Sequence, residues 1–379
     1  MEYRKISVGN NEKEVSLLGF GCMRFPLKDG EIDKVEAKKM MDYAVEHGVN
    51  YIDTAYPYHG GKSELFVKEV IKDYDRESFY LADKLPLWEC ETEEDVDKIF
   101  HEQLEKCGVE YFDFYLIHAV NKDRLAKAKK LNVIKHLEKY REEGKIRNIG
   151  FSFHDDLKTF RQWVDLYDWD FCQIQLNYMD VHHQQGMTGY KLLTEKNIPV
   201  IIMEPVKGGN LVNFNDEIKQ EFEALDPNKS IVSWAFRWVG SLPNVKVILS
   251  GMSTMDHVKD NIDTFSPFES LTDNEVSAIS DIRKKILSYS EVDCTSCNYC
   301  MPCPHGVNIP GNFRIFNGHA MYHNDKHSSW QIGNLQDKDA FADACIECNE
   351  CLPKCPQNIE IPTELRRFER YAEDNGLKN

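Results

Sequence analysis

Short runs rich in β-branched and aromatic residues alternate with longer segments of helical periodicity throughout the first 285 residues. Helical patterns cover residues 34–46, 93–106 and 133–143, and Gly144 follows the last of these, as glycine often follows a helix. The eight candidate strands are Leu17–Gly21, Asn50–Asp53, Phe79–Lys84, Phe112–His118, Ile146–Ser152, Phe171–Asn177, Val200–Met203 and Val245–Leu249. Repeated strand–helix alternation of this length predicts an α/β fold, a (β/α)8 TIM barrel.

Polar or ionisable residues stand at the ends of several candidate strands, namely Asp53, Lys84, His118, Ser152 and Asn177. In such a barrel, the C-terminal ends of the strands converge on one mouth, where catalysis occurs. One such residue alone is usually a helix cap or a buried polar group with satisfied hydrogen bonds. Five at equivalent positions indicate a functional site.

Two cysteine-rich runs follow in about the last ninety residues. The first contains Cys294, Cys297, Cys300 and Cys303, and the second contains Cys345, Cys348, Cys351 and Cys355. Both continue as Cys-Pro-x-x-(Val/Ile)-x-Ile-Pro, which indicates an internal duplication. Between the runs, hydrophobic residues from Phe313 to Met321 are spaced as in a helix.

The spacing of these cysteines predicts two [4Fe-4S] clusters. Three thiolates at three-residue spacing can occupy three corners of a cubane, and in two-cluster ferredoxins the fourth cysteine ligates the other cluster. With that crossing, one cluster uses Cys294, Cys297, Cys300 and Cys355, and the other uses Cys345, Cys348, Cys351 and Cys303. The first run has two residues, not three, before its last cysteine, so an uncrossed pairing stays open. Two four-cysteine zinc sites are the alternative, although zinc ribbons usually present separated Cys-x-x-Cys pairs.

Composition and charge narrow the function classes. The net charge of −17 and the lack of a basic stripe argue against a nucleic acid partner. The N-terminus does not resemble an export signal, and no window is apolar enough for a membrane span, so we expect a cytoplasmic protein without a membrane partner. An acidic surface either steers a basic redox partner or is simply solvated.

Over about residues 3–285, the sequence resembles the aldo-keto reductase family. The motifs that carry the resemblance are Gly19–Arg24, Asp53–Tyr58 with Ser63 and Glu64, Ala82–Lys84, Asp113–His118, Gly150–Ser152 and Gln173–Asn177. The segments Arg4–Val8 and Glu14–Ser16 resemble the hairpin that plugs the bottom of that family's barrel. Residues 290–370 resemble an α-helical ferredoxin. The resemblances imply a barrel domain over residues 1–285 and a small, mainly α-helical iron–sulfur domain over residues 286–379.

The family's catalytic tetrad corresponds to Asp53, Tyr58, Lys84 and His118. Tyrosine has an ordinary pKa of about 10, and a buried ammonium beside it is expected to lower that pKa. The resemblance makes Tyr58 the proton donor and Asp53 the partner of Lys84. It implies that His118 binds the carbonyl oxygen of a small aldehyde or ketone, which a nicotinamide reduces to an alcohol.

The resemblance also implies a set of nicotinamide cofactor contacts. They are Gly21, Cys22, Met23, Ser152, Gln173, Met203, Gly251, Met252, Ser253, Asp260 and Asn261. Several positions depart from the family: Met203 replaces a stacking aromatic residue, and Phe153 replaces an asparagine. Gly251 and His257 stand where a lysine and an arginine hold the 2′-phosphate, so the Ser250–Thr254 loop lacks a cation of its own. NAD(P)H is therefore expected, with the choice between NADH and NADPH open.

Clusters carry single electrons, whereas a nicotinamide delivers a hydride, and a flavin is the usual adaptor between the two. FMN is therefore an alternative cofactor, because a barrel mouth can hold it without a distinctive sequence motif.

Two hypotheses for function follow. The first hypothesis is a carbonyl reductase whose clusters exchange electrons with ferredoxin or another redox protein. The second is a barrel with weak or no turnover whose clusters are a structural or oxygen-sensing module.

Overall fold

The alternating pattern folds into twelve strands and fourteen α-helices in a computed structural model, which describes residues 1–378. The strands are β1 (Tyr3–Val8), β2 (Asn11–Ser16), β3 (Leu18–Gly21), β4 (Leu27–Lys28), β5 (Glu31–Ile32), β6 (Tyr51–Asp53), β7 (Tyr80–Leu85), β8 (Phe112–Val120), β9 (Ile146–Phe153), β10 (Phe171–Gln175), β11 (Val200–Met203) and β12 (Val245–Ser250). The helices are α1 (Lys34–Glu46), α2 (Ser63–Ile71), α3 (Glu93–Cys107), α4 (Lys122–Lys130), α5 (Val133–Glu142), α6 (Leu157–Val164), α7 (Gly186–Glu195), α8 (Asp216–Leu225), α9 (Ile231–Gly240), α10 (Met255–Phe265), α11 (Asp273–Ser288), α12 (Ile309–Tyr322), α13 (Asp325–Gln336) and α14 (Ile361–Asp374).

Eight parallel strands close into a barrel in the order β10-β11-β12-β3-β6-β7-β8-β9. They are the eight strands expected from the sequence, so the TIM-barrel prediction is confirmed. Parallel pairing aligns the carboxyl ends of neighbouring strands. Gly21 pairs with Asp53, and Ser152 pairs with Gln173. The barrel register therefore gathers the predicted site residues at one mouth.

The N-terminal hairpin fills the opposite, amino-terminal end of the barrel. Strands β1 and β2 pair antiparallel, and Ile6 and Val15 lie in one buried cluster with Tyr51, Phe114 and Phe171 from the barrel strands. Helices α1–α7, α9 and α10 pack outside the barrel, where their buried side chains form a larger core. These two cores fix the strands from both sides and hold the mouth in position.

The chain folds into two compact units. One comprises Met1–Lys207 and Val232–Asp273, and the other comprises Gly208–Ile231 and the chain from Asn274 onward. In the second unit, α12 confirms the helix expected between the cysteine runs, and its Phe313 and Phe316 pack with Phe368 of α14 in a core of their own. Among residues 1–378, no helix is both long and apolar enough to cross a membrane.

Candidate functional site

A buried lysine lies at the centre of the barrel mouth. The Lys84 ammonium donates to Asp53 Oδ1 and to the Thr54 carbonyl, each at 2.6 Å, and lies 3.4 Å from the Tyr58 hydroxyl. The Lys84 side chain has no solvent exposure, and that of Asp53 is 3% exposed. All three Lys84 N–H groups can therefore be satisfied inside the protein, which a buried ammonium requires.

Burial and charge act against each other in this group. Burial raises the pKa of Tyr58, and the neighbouring Lys84 charge opposes that rise. Burial disfavours the charged form of Lys84, but Asp53 and Tyr58 outweigh it, so the pKa of Lys84 is raised. The lowered tyrosine pKa expected from the sequence is therefore not found. Lys84 acts in the expected direction, but burial has the larger effect, and Tyr58 stays protonated at neutral pH.

His118 completes the constellation at the end of β8. Its ring stands edge-on to Tyr58 with centroids 6.1 Å apart, and the Trp88 ring lies 5.0 Å from it. Burial lowers the pKa of His118 well below its usual value, and the Lys84 charge lowers it further. His118 is therefore neutral at neutral pH. A neutral imidazole can donate one N–H to an oxygen atom placed between it and Tyr58.

The next two strand ends carry groups suited to a carboxamide. The Ser152 hydroxyl oxygen accepts a hydrogen bond from the Ala119 N–H at 2.7 Å, and Gln173 Nε2 lies 3.5 Å from Met203 Sδ. Gln173 Oε1 is buried and has no hydrogen-bond partner among residues 1–378. Such an orphaned acceptor fits a ligand that offers an amide N–H, as nicotinamide does.

The loop after β12 borders the β3 strand end. A Cβ on Gly251 would lie 3.1 Å from three Arg24 side-chain carbons, and Ser253 Oγ donates to the Arg24 carbonyl at 2.9 Å. The loop that lacks a cation of its own thus has the Arg24 side chain against it. Linear motifs do not reveal this neighbour, because Arg24 and Gly251 meet only when β12 pairs with β3.

The remaining predicted contacts of this loop differ in exposure. Met252 and Asn261 are buried, and the Asn261 amide donates to Ser250 Oγ at 2.9 Å, so Asn261 holds the shape of the loop. Asp260 is half-buried on α10. Around the β3 end, Cys22 is buried whereas Met23 is exposed. The close approach of Gly21 to the Ser250 carbonyl, 3.2 Å from an added Cβ, explains a glycine there.

Asn177, also expected at the mouth, has a different role. Its side-chain oxygen accepts from the backbone N–H groups of Met179 and Asp180 at 3.0 and 2.9 Å, and its amide donates to the Asp180 carboxylate and to the Glu204 carbonyl. Its hydrogen-bonding groups are therefore used within the protein. The structure makes Asn177 a loop-shaping residue at the barrel mouth.

In the second unit, the eight cysteines line two recesses of roughly 400 and 320 Å³, open solvent included. Cys303, Cys345, Cys348 and Cys351 line the larger, which Cys300 also borders, and Cys294, Cys297, Cys300 and Cys355 line the smaller. The fourth cysteine of each run thus lies with the first three of the other. This arrangement of thiols fits two four-iron clusters with crossed ligands.

Backbone conformation supports the duplication of this module. Ser296 and Asn298 in the first run have φ angles of 55° and 63°, and the equivalent Glu347 and Asn349 have φ angles of 59° and 63°. These left-handed residues alternate with the cysteines and turn the chain around each recess. Burial raises the pKa of Cys300, and the charges of nearby thiolates, Cys355 included, raise it further. Clustered thiols of this kind favour a cation that neutralises them.

Comparison with known proteins matches both parts of the chain. A family model described as the aldo/keto reductase family matches residues 17–284, and one described as a 4Fe-4S dicluster domain matches residues 293–360. Uncharacterized oxidoreductase YqkF of Bacillus subtilis is 24% identical over 313 residues, covering 74% of this chain and 97% of that protein.

Two further proteins extend the comparison. NADH-specific methylglyoxal reductase of Escherichia coli is 23% identical over 307 residues, covering 68% of this chain and 92% of that protein. A solved structure of an aldo-keto reductase from Klebsiella pneumoniae in complex with NADPH has a TM-score of 0.59 at 19% identity, covering 75% of this chain and 96% of that chain. At this identity, the structural likeness shows a shared fold.

Proposed function

Because this chain belongs to the aldo/keto reductase family and carries an iron–sulfur domain, we propose that this oxidoreductase reduces an aldehyde or ketone with a nicotinamide cofactor. The observation that carries the proposal is the buried Lys84, which lies within 3.4 Å of both Asp53 and Tyr58, with His118 beside them. Four groups of these types at one mouth match the requirements of carbonyl reduction.

Each group has a distinct task in the proposed reaction. His118, held neutral, donates its N–H to the carbonyl oxygen and orients the substrate. Tyr58, held protonated, donates its proton to that oxygen as the carbonyl becomes an alkoxide. Lys84 stabilises the resulting phenolate, and Asp53 keeps Lys84 charged and in place. A bound nicotinamide would supply the hydride that reaches the carbonyl carbon.

We propose NADH or NADPH as the cofactor, because the orphaned Gln173 amide oxygen suits a carboxamide and Arg24 brings a cation to the Gly251 loop. Names of similar proteins point the same way, since one is NADH-specific and another was solved with NADPH. The proposed nicotinamide site comprises Gly21, Cys22, Met23, Ser152, Gln173, Met203, Gly251, Met252, Ser253, Asp260 and Asn261. None of these observations favours FMN.

The iron–sulfur clusters form the second part of the proposal. We propose that each takes three cysteines from one run and the last cysteine of the other, as the two recesses are lined. Each cluster carries one electron, so the two together hold the two electrons of one hydride, and its proton passes to solvent. We propose that the clusters exchange electrons with ferredoxin or another redox protein in the cytoplasm. The proposed division into domains is residues 1–285 and 286–379.

Replacing the proposed acid tests the chemistry. We expect Tyr58→Phe to lower kcat/KM for carbonyl reduction by about 100-fold or more, because it removes the transferable proton. Tyr56→Phe is the matched control, since the Tyr56 hydroxyl bonds Glu102. Nucleotide affinity, measured by fluorescence titration, should be unchanged in both variants. Reduction by Tyr58→Phe at the rate of the parent would rule out Tyr58 as the acid.

Crossed ligation is tested in a variant with Cys345, Cys348 and Cys351 changed to alanine, which leaves one proposed ligand set. Adding Cys355→Ala should remove a ligand of the remaining cluster and lower the iron and sulfide content. Adding Cys303→Ala should leave both unchanged. Iron and sulfide are measured under anaerobic conditions, together with the electron paramagnetic resonance spectrum. Loss of the cluster on adding Cys303→Ala but not on adding Cys355→Ala would mean that each cluster uses one run alone.

Communication between barrel and clusters is tested by anaerobic titration with NADH and NADPH. We expect either nucleotide to reduce the clusters and bleach their visible absorbance, and the carbonyl substrate to restore it. Carbonyl reduction without bleaching would contradict the electron exchange and leave the clusters a structural role. Absence of both cluster bleaching and carbonyl reduction, at full cluster content, would instead favour an inactive barrel with an oxygen-sensing cluster module.

A further inference from the structure

One arginine stands beside the proposed reacting groups without a carboxylate partner among residues 1–378. Arg124 lies in the first turn of α4, directly after β8. Its guanidinium donates to the Ala119 carbonyl, next to His118, and Cζ lies 4.7 Å from the centre of the Trp88 ring. The centre of the Trp88 ring also lies 5.0 Å from the centre of the His118 ring. Arg124 is thus held one aromatic ring away from the group that would bind the carbonyl oxygen.

Two lysines of the mouth are neutralised within the protein. Lys84 pairs with Asp53 at 2.6 Å, and Lys207 pairs with Asp180 at 2.6 Å. Within the described part of the chain, no carboxylate forms an ion pair with Arg124, although the charge of the adjacent Asp123 acts on it. A half-buried guanidinium retains N–H groups suited to a planar, doubly hydrogen-bonding anion.

His154 offers a second donor near Arg124. It follows β9, and its backbone N–H donates to the Val120 carbonyl at 3.2 Å. The Gln184 amide nitrogen lies 3.4 Å from His154 Nδ1, and in the tautomer in which Nδ1 accepts from this amide, Nε2 carries the proton. Burial lowers the pKa of His154, and the Arg124 charge lowers it further. A neutral ring with one N–H and a fixed guanidinium therefore flank the same part of the mouth.

We propose that Arg124, assisted by His154, binds a carboxylate carried by the carbonyl substrate, so that the preferred substrates are short oxo acids. This inference rests on the proposed carbonyl reduction and narrows its substrate class. The single ring between His118 and Arg124 limits the separation of carbonyl and carboxylate to a few carbon atoms. One cation matches the single charge of a carboxylate better than the double charge of a phosphate. Arg124 is a specificity residue, because it acts away from the reacting carbon.

Matched substrates test the proposal on the full chain with its clusters. We would compare 4-oxobutanoate and 5-oxopentanoate with their methyl esters, which keep the length and remove the charge. We expect kcat/KM to favour at least one acid over its ester by about tenfold or more. Arg124→Gln should remove that preference, because it lowers kcat/KM for the acids more than for the esters. Arg124→Lys should keep part of it, and Lys129→Gln, which removes an exposed cation of α4, should keep all of it.

A binding measurement separates this inference from the proposed function. Calorimetric titration with 4-hydroxybutanoate should show binding by the parent and binding at least about tenfold weaker by Arg124→Gln. Such binding without turnover of any carbonyl compound would refute the reductase and retain the carboxylate site. Equal reduction of acid and ester by parent and Arg124→Gln would overturn the carboxylate site and retain the reductase. Preference for a phosphorylated aldehyde over both oxo acids would also overturn it, and absence of both binding and turnover would overturn both.

Discussion

The ion pair between Lys84 and Asp53 is the constraint on which the proposed active site depends. Both side chains are buried, and removing one partner of such a pair typically costs about 3–5 kcal/mol. The backbone of Lys84 is held as firmly as its side chain, since its N–H donates to Asp83 and its carbonyl accepts from Gln103. Gln103 in turn donates to the buried Glu64 carboxylate. Lys84, whose charge acts on both Tyr58 and His118, is therefore fixed from two sides.

Some features of the barrel and of its site could be predicted from the sequence, and others could not. Strand alternation and strand-end residues follow a repeating local pattern, so the barrel and the convergence of Lys84 with His118 were predictable. The net effect on the pKa of Tyr58 was not, because it depends on how deeply the ring is buried. Arg24 was missed because its neighbour Gly251 follows β12, which pairs with β3 only when the barrel closes.

The cysteine module shows the same division. Spacing alone predicted two clusters, because three closely spaced thiolates and a trailing Cys-Pro suit a cubane. Which fourth cysteine serves which cluster depends on how the two runs face each other, and the altered spacing before Cys303 left that open. The folded arrangement groups Cys303 with the second run and Cys355 with the first. Matching left-handed residues turn the first three cysteines of each run around one recess.

The central claim is that the residues around Lys84 direct a hydride from a nicotinamide to a carbonyl carbon. Reduction of an aldehyde or ketone with nicotinamide cofactor deuterated at the transferred position tests it most directly. Mass spectrometry of the alcohol should show one deuterium on the carbinol carbon with the parent protein, and none with Lys84→Met at equal cluster content. An alcohol without deuterium, or equal labelling by Lys84→Met, would contradict the account.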